Sequence, residues 1–142
     1  MCIADDTSAS FDPIGFTAAS DGAFYSIGDI LQFPNIIYNR GNAYNASTGI
    51  FTCPIKGMYT FQASLVSHWD DFAVANMHHG SDVVGTVFAD DEPLVQGSTS
   101  AVFECDVGEQ AWMETTSYDS QEIVNDGDTQ YNTFSGYLIA PL

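Results

Sequence analysis

The side chains of this sequence best suited to chemistry are carboxylates, and they occur in three short groups. The groups are Asp70-Asp71, Asp90-Asp91-Glu92 and Asp126-Gly127-Asp128. Calcium is bound in proteins by six to eight oxygen atoms from carboxylates, amides, carbonyls and water. One loop can supply two or three of these oxygens, so each group is a candidate for calcium or ligand binding. A solvated acidic turn is the simpler interpretation of each group.

A tryptophan stands beside one of these groups, in the segment His68-Trp69-Asp70-Asp71. An aromatic ring at a strand end can stack on a sugar ring, while neighbouring carboxylates accept hydrogen bonds from the sugar hydroxyls. The segment therefore predicts a ligand-binding site formed by His68, Trp69, Asp70 and Asp71, and packing of Trp69 in the core is the alternative. Asp126 and Asp128 are further predicted ligand-binding residues, with a polar turn as their alternative.

The adjacent residues His78 and His79 are candidate ligands for zinc or copper. Neighbouring side chains in an extended chain point to opposite sides, so one ion rarely binds both. They are instead predicted to lie in a hairpin turn with Gly80 and Ser81, and Trp112 is predicted to lie in the core. The sequence contains no Gly-x-Ser-x-Gly, His-Glu-x-x-His or Cys-x-x-Cys motif. We therefore expect a protein that is not an enzyme.

The charge balance excludes several classes of partner. The 142 residues include 19 acids but only two bases, Arg40 and Lys56, and the formal net charge is −17. Nucleic acids and anionic membranes require clustered Lys or Arg, so neither is an expected partner. No apolar run approaches the roughly 20 residues of a membrane span. Met1 is not followed by the basic and apolar regions of a signal peptide, and residues 1–10 are predicted to form a tail.

The elements that must position these residues are predicted to be short strands. Val, Ile, Thr, Phe and Tyr are frequent, and the clearest alternation runs through 58–66, where Tyr59, Phe61, Ala63 and Leu65 share one face. Further strands are predicted at 72–77, 83–88, 99–105, 112–116 and 133–139, with a turn at 107–110. Strands at this spacing favour an all-β sandwich or jelly roll.

The stretch from residue 33 to residue 61 resembles the signature of the globular C1q domain. The matching positions are Phe33, Asn39, Tyr44, Phe51, Gly57, Tyr59 and Phe61. The last signature position is normally aromatic and here is Ala63. Residues 108–114 and 133–141 resemble later segments of the same family, so the resemblance covers about residues 15–142. Gly57 is expected to supply a turn conformation at a strand entry.

The resemblance implies a ten-stranded all-β jelly-roll sandwich, similar to that of tumour necrosis factor, assembled as a homotrimer. The globular domain is expected to span 11–142. In the C1q family, calcium near the trimer apex is held by the loop that here follows Phe88. Asp90 and Gln96 match the two ligand positions of that loop, and Asp91 is predicted as an additional metal ligand.

The cysteines Cys2, Cys53 and Cys105 leave several arrangements open. Many vertebrate C1q domains pair two cysteines at positions that here resemble Ala73 and Ala89, so that disulfide is absent. Cys53 resembles a family cysteine that is commonly buried and unpaired. A bond between Cys53 and Cys105 remains open, and an interchain bond through Cys2 is a minor hypothesis.

The resemblance is closest in kind to stand-alone C1q-domain proteins of invertebrates, especially bivalves. It implies a secreted, extracellular, non-catalytic lectin-like protein that recognises patterns in innate immunity. The expected partners are glycans or microbial surface molecules, bound by several weak sites at once, with Ca²⁺ as the expected cofactor. A cytokine-like ligand for a receptor, or an acidic matrix or body-fluid protein that binds calcium or other metals, are the alternatives. An unmarked hydrolase is the weakest alternative.

Overall fold

The computed structural model describes residues 11–20, 23–25, 28–67, 73–90, 95–116, 121–123 and 132–142. The regular elements in these residues are strands. The described part of the chain contains no helix that is long and apolar enough to cross a membrane. The strands are β1 (Gly15–Ala19), β2 (Ala23–Tyr25), β3 (Asn35–Arg40), β4 (Tyr44–Asn45), β5 (Ile50–Thr52), β6 (Gly57–Val66), β7 (Ala73–His79), β8 (Asp82–Ala89), β9 (Gln96–Cys105), β10 (Gln110–Thr115), β11 (Gln121–Ile123) and β12 (Thr133–Pro141).

Ten of these strands form two antiparallel sheets of five strands each. The first sheet has the order β3-β1-β12-β6-β9, and the second has the order β4-β5-β10-β7-β8. Strands β2 and β11 pair separately with each other. This arrangement confirms the expected all-β sandwich with ten strands in its two main sheets.

The alternation of β6 shows why the two sheets pack face to face. Tyr59, Phe61, Ala63 and Leu65 are at most 1% exposed, while Gln62 on the opposite face is exposed to solvent. Because successive side chains of a strand point to opposite faces, burying one face leaves the other to water or to a partner. The predicted strand at 58–66 is therefore confirmed, with Gly57 as its first residue.

The core is built from aromatic rings contributed by both sheets. Phe61 of the first sheet packs edge-on against Phe51 of the second, with ring centroids 5.1 Å apart. Phe16 stacks on Tyr44 at 4.4 Å and meets Phe134 edge-on at 5.1 Å. Edge-to-face and offset stacks of this kind are the favoured arrangements of aromatic pairs. These rings join the two sheets into one hydrophobic core.

The spacing of the residues that match the C1q signature has a direct structural basis. Tyr44 is buried, and its hydroxyl donates a hydrogen bond to the Phe33 carbonyl at 2.9 Å and accepts one from the Phe33 N–H at 3.2 Å. The Asn39 side-chain amide donates to the Tyr44 carbonyl at 3.0 Å. The signature thus ties β3 and β4 to the segment that precedes them.

Two glycines allow the closing strand β12 to lie directly on β6. A Cβ atom at Gly136 would collide with the ring of Phe61, and one at Gly57 would collide with Leu138. The expectation that Gly57 supplies a turn conformation is wrong, because Gly57 lies within β6 and its φ is not positive. Its role is close approach, which only a residue without a side chain permits.

The two ends of the sandwich differ in character. One end lies next to the acidic segments of the sequence, and we call it the acidic end. The residues that border those segments there are Ser67, Ala73, Asp90, Val95 and Asn132. At the other end Cys53, directly after β5, and Cys105, the last residue of β9, form a disulfide, and we call this the disulfide end.

Candidate functional site

The acidic end brings four separate parts of the chain within hydrogen-bonding distance. The Ser67 N–H donates to the Val95 carbonyl at 3.1 Å, and the Val66 N–H donates to the Asn132 side chain at 2.8 Å. The Ser20 N–H bonds the Asn132 carbonyl at 2.9 Å. Asn132 and Ser67 are fully buried. These bonds fix the points at which three acidic segments of the sequence begin or end.

Two of the predicted metal ligands lie at this end of the fold. Asp90 follows the last residue of β8 directly, and Gln96 is the first residue of β9, where it pairs with Val66. Both side chains are exposed. Strand β8 belongs to the second sheet and β9 to the first, so the Asp90 carboxylate and the Gln96 amide lie at the two ends of the chain segment that joins the sheets.

The remaining predicted site residues lie outside the described residues. They are Asp91 of the predicted metal site and the predicted ligand-binding residues His68, Trp69, Asp70, Asp71, Asp126 and Asp128. Their assignment remains a prediction. Described residues border these segments in the sequence, since His68 follows Ser67 and Asp128 lies shortly before Asn132.

The two adjacent histidines belong to a strand, and the prediction of a turn at His78 and His79 is wrong. Both residues end β7, where His78 pairs with Val83 and His79 with Asp82, and the turn consists of Gly80 and Ser81. A register shift after Met77 accompanies this pairing. As expected for successive strand residues, the two rings contact different groups.

His78 belongs to an aromatic cluster on the outer face of the second sheet. Its ring stacks parallel to the Trp112 ring, with centroids 5.3 Å apart. The Glu114 carboxylate contacts both rings. His78 Nε2 lies 3.4 Å from one of its oxygens, and the Trp112 indole N–H donates a hydrogen bond to the other at 3.3 Å. The prediction that Trp112 lies in the core is therefore wrong, because Ala111 and Met113 occupy the inward positions of β10.

His79 lies at the disulfide end, on the other side of β7. Its ring stacks on Phe103 at 4.3 Å, and its Nε2 atom lies 3.3 Å from a carboxylate oxygen of Glu109. The same Glu109 oxygen accepts a hydrogen bond from the Asp106 N–H. Sequence reasoning missed this group, because 30 residues separate His79 from Glu109 and only the sheet register brings them together.

The cysteine arrangement left open by the sequence is settled at this end. Cys53 and Cys105 are bonded to each other across 52 residues, with Cα atoms 6.3 Å apart. This differs from the unpaired family cysteine that Cys53 resembles. Ala73 and Ala89, the positions that resemble a vertebrate cysteine pair, lie directly opposite each other in β7 and β8. The disulfide of the described residues therefore lies at the opposite end of the sandwich from Ala73 and Ala89.

The outward face of the first sheet carries exposed aromatic and aliphatic side chains. Tyr38 is 55% exposed, Tyr137 is 51% exposed and Val102 is 59% exposed. Tyr38 and Tyr137 line a shallow cavity of about 240 Å³, together with Gln62. Single exposed apolar residues are ordinary, but several on one sheet face indicate a contact surface.

The sequence model of the C1q domain family matches residues 15–139. Among characterised proteins, mouse collagen alpha-1(X) chain is 30% identical over 131 residues, covering 89% of this chain. This chain corresponds to only 19% of the length of that collagen.

Solved structures show the same architecture. The globular domain of zebrafish complement 1qA superimposes with a TM-score of 0.71 at 17% identity, covering 91% of this chain and 99% of that one. Murine APRIL superimposes with a TM-score of 0.62 at 12% identity, covering 89% and 98% of the two chains. At these identities the likeness concerns the fold.

Proposed function

This chain belongs to the C1q domain family, and from that premise we propose that it is a secreted, non-catalytic recognition protein that binds carbohydrates on microbial surfaces. A jelly-roll fold does not by itself specify a ligand, so the proposal depends on the site. The observation that carries it is the hydrogen bonding at one end of the sandwich of Ser67, Val95 and Asn132, the residues that border three acidic segments of the sequence.

Convergent loops on a rigid sheet scaffold are the usual way in which β-sandwiches build binding sites. Here the sequence segments that follow Ser67 and Asp90 carry carboxylates, and the first of them also contains Trp69. Carboxylates accept hydrogen bonds from sugar hydroxyls, and an indole ring offers an apolar face to a pyranose. The acidic end therefore combines the two kinds of group that carbohydrate binding requires.

The family relationship supports assembly as a homotrimer, and the first sheet offers the surface for it. Its outward face presents Tyr38, Tyr137 and Val102 to solvent in the single chain. Covering these side chains with neighbouring copies would remove apolar surface from water. Three acidic ends would then face one target, and three weak sites acting together would give useful affinity for a repetitive surface.

Calcium is the proposed cofactor, held by Asp90 and Gln96 with Asp91. Carboxylate and amide oxygens are ligands that calcium prefers, and water or a ligand hydroxyl would complete the coordination. A divalent cation would also offset part of the −17 charge, which otherwise repels anionic microbial polymers. The ion would thus bridge the protein to sugar hydroxyls.

Calorimetric titration with CaCl₂ tests the metal site. We expect the wild-type chain to bind calcium at the β8–β9 connection, and Asp90→Asn to weaken this binding at least about tenfold, because one charged ligand is lost. Glu104→Gln removes a carboxylate of β9, well away from this connection, and is the matched control. Equal calcium binding by Asp90→Asn and the wild type would remove the metal from the proposal.

Binding to immobilised mannan and lipopolysaccharide tests the recognition step. We expect saturable binding in calcium that soluble monosaccharide displaces at high concentration, since each individual site is weak. The Asp90→Asn variant should lose the calcium-dependent part of this binding. Binding that no sugar displaces would instead favour the alternative of a ligand for a protein receptor. Weak binding of many calcium ions without sugar binding would favour the acidic matrix protein.

A further inference from the structure

The disulfide end brings together donor atoms of the kind that bind zinc. The ligand atoms of His79, Cys105 and Glu109 all lie within 4.8 Å of one another, and this is the one such group found among the described residues. The disulfide places the sulfur of Cys53 beside that of Cys105. Two sulfurs, an imidazole and a carboxylate form a donor set that is typical of tetrahedral zinc.

In the oxidised protein this set is not available to a metal. The two sulfurs are bonded to each other, and only thiolates bind zinc strongly. Just His79 and Glu109 remain, with 3.3 Å between the imidazole Nε2 and the carboxylate oxygen. Two ligands are too few for a closed site, so the disulfide keeps the donor set inactive.

The four residues are held together by contacts that do not depend on the disulfide. The Cys53 N–H donates to the Glu109 carbonyl at 2.9 Å, and the Gly108 N–H donates to the Cys53 carbonyl at 2.9 Å. Cys105 pairs with Gly57, the first residue of β6. His79 is the last residue of β7 and is only 16% exposed at its side chain. Breaking the sulfur–sulfur bond therefore leaves the donors close together.

We propose that reduction of the Cys53–Cys105 disulfide converts the disulfide end into a zinc site formed by Cys53, Cys105, His79 and Glu109. A dithiol or phosphine reductant supplies two electrons and is itself oxidised, the sulfur–sulfur bond breaks, and each sulfur takes up one proton. Zinc then displaces both thiol protons to solvent and binds the thiolates, the Nε2 lone pair of His79 and a carboxylate oxygen of Glu109.

The proposed site differs in chemistry from the acidic end. Thiolate and imidazole ligands favour zinc, whereas calcium and magnesium favour oxygen ligands. The same chain would therefore bind a hard cation at one end and, once reduced, a soft cation at the other. An excess of magnesium should not displace zinc from the disulfide end.

Cobalt absorption spectroscopy tests the proposal in a Cys2→Ser background, which removes the third thiol. After reduction with a phosphine, we expect one Co²⁺ per chain, with thiolate-to-cobalt charge-transfer bands and the visible bands of tetrahedral coordination. Zinc should displace the cobalt and abolish both. The oxidised protein should show neither set of bands, because its sulfurs are bonded to each other and offer no thiolate.

Neighbouring residues provide matched variants. His79→Ala should weaken metal binding at least about tenfold, since even the loss of a group that only supports a ligand costs 10–100-fold. Glu109→Gln keeps an acceptor for the Asp106 N–H and should alter the visible bands. His78→Ala removes the adjacent ring on the other side of β7 and should leave them unchanged. Identical spectra for His79→Ala and its parent would overturn the proposal.

The fold of the reduced protein must be followed in parallel, because loss of the disulfide destabilises the chain. Far-ultraviolet circular dichroism and thermal unfolding are therefore measured with and without zinc. We expect zinc to raise the unfolding temperature of the reduced parent but not that of reduced His79→Ala. A reduced chain that stays unfolded with zinc present, or a folded one without thiolate bands, would contradict the inference.

Discussion

At the scale of single residues, Tyr59 shows how the core uses a polar group. Its ring is fully buried, and its hydroxyl donates a hydrogen bond to the Ile55 carbonyl at 2.7 Å. Burial raises the pKa of Tyr59 above the ordinary value of 10.0, and the hydrogen bond to Ile55 partly offsets this rise. Because ionisation in the folded state is disfavoured, the stabilising contribution of Tyr59 is present below pH 10 and is lost as pH rises through the folded-state pKa.

Tyr59→Phe should therefore lower the free energy of unfolding by about 1 kcal/mol at pH 7, through loss of one buried hydrogen bond. The difference from the wild type should shrink above pH 10, where only the wild type must keep a buried tyrosine protonated. Urea unfolding at pH 7 and at two alkaline pH values measures this. Tyr137→Phe, at a half-exposed ring, is the control, and a difference that grows with pH would contradict the account.

Which residues are buried on the alternating strands was largely predictable from the sequence. Tyr59, Phe61 and Leu65 are buried as their spacing predicts. The outward position of Trp112 was not predicted, because hydrophobicity alone assigned this residue to the core. Its place in β10 points its ring outward beside His78. The pairing of His79 with Glu109 likewise depends on register between distant strands, which one sequence does not encode in any local pattern.

At the scale of elements, the close packing of β12 against β6 depends on the absence of a side chain at Gly136. Gly136→Ala should lower the free energy of unfolding by about 1–3 kcal/mol, because the added methyl group would collide with the Phe61 ring in a packed core. Ser135→Ala, the preceding residue on the outward face, is the matched control. Denaturant unfolding measures both, and equal stabilities would contradict the proposed close approach.

The disulfide joins the loop after β5 to the last residue of β9 and closes 52 residues of chain. Chain-entropy arguments assign roughly 4 kcal/mol to a cross-link of this separation. The double variant Cys53→Ala/Cys105→Ala should lose about this much stability in denaturant unfolding, measured without metal. Cys2→Ser should lose none. A loss below about 1 kcal/mol would mean that the backbone hydrogen bonds of Cys53 already hold the loops.

Element positions followed from the sequence better than element ends. The predicted strand at 99–105 begins three residues earlier, at Gln96, and the strand at 72–77 continues through both histidines to His79. The reason is physical, since polar residues at strand ends pair as well as apolar ones do when a neighbouring strand supplies the hydrogen bonds. The ligand positions Asp90 and Gln96 are assigned by resemblance, and of the three predicted metal ligands these two lie in the described part of the chain.

At the scale of the whole molecule, the exposed face of the first sheet is the proposed trimer interface. Tyr137→Asp places a charge where an apolar contact is proposed and should convert a trimer into monomers in sedimentation equilibrium. Val83→Asp, at a residue that is 52% exposed on the second sheet, should leave the assembly unchanged. Since each chain carries −17, the trimer should also be weaker at low salt than at 150 mM. Trimers that persist in Tyr137→Asp would place the interface elsewhere.

This C1q domain is proposed to recognise carbohydrates, and a glycan array in calcium, repeated in EDTA, tests that recognition most directly. We predict binding to one coherent class of glycans in calcium and its loss in EDTA. Binding that survives EDTA would retain the carbohydrate ligand but contradict the calcium bridge at Asp90. A folded trimer that binds no glycan in either buffer would contradict the claim and favour a protein receptor as the partner.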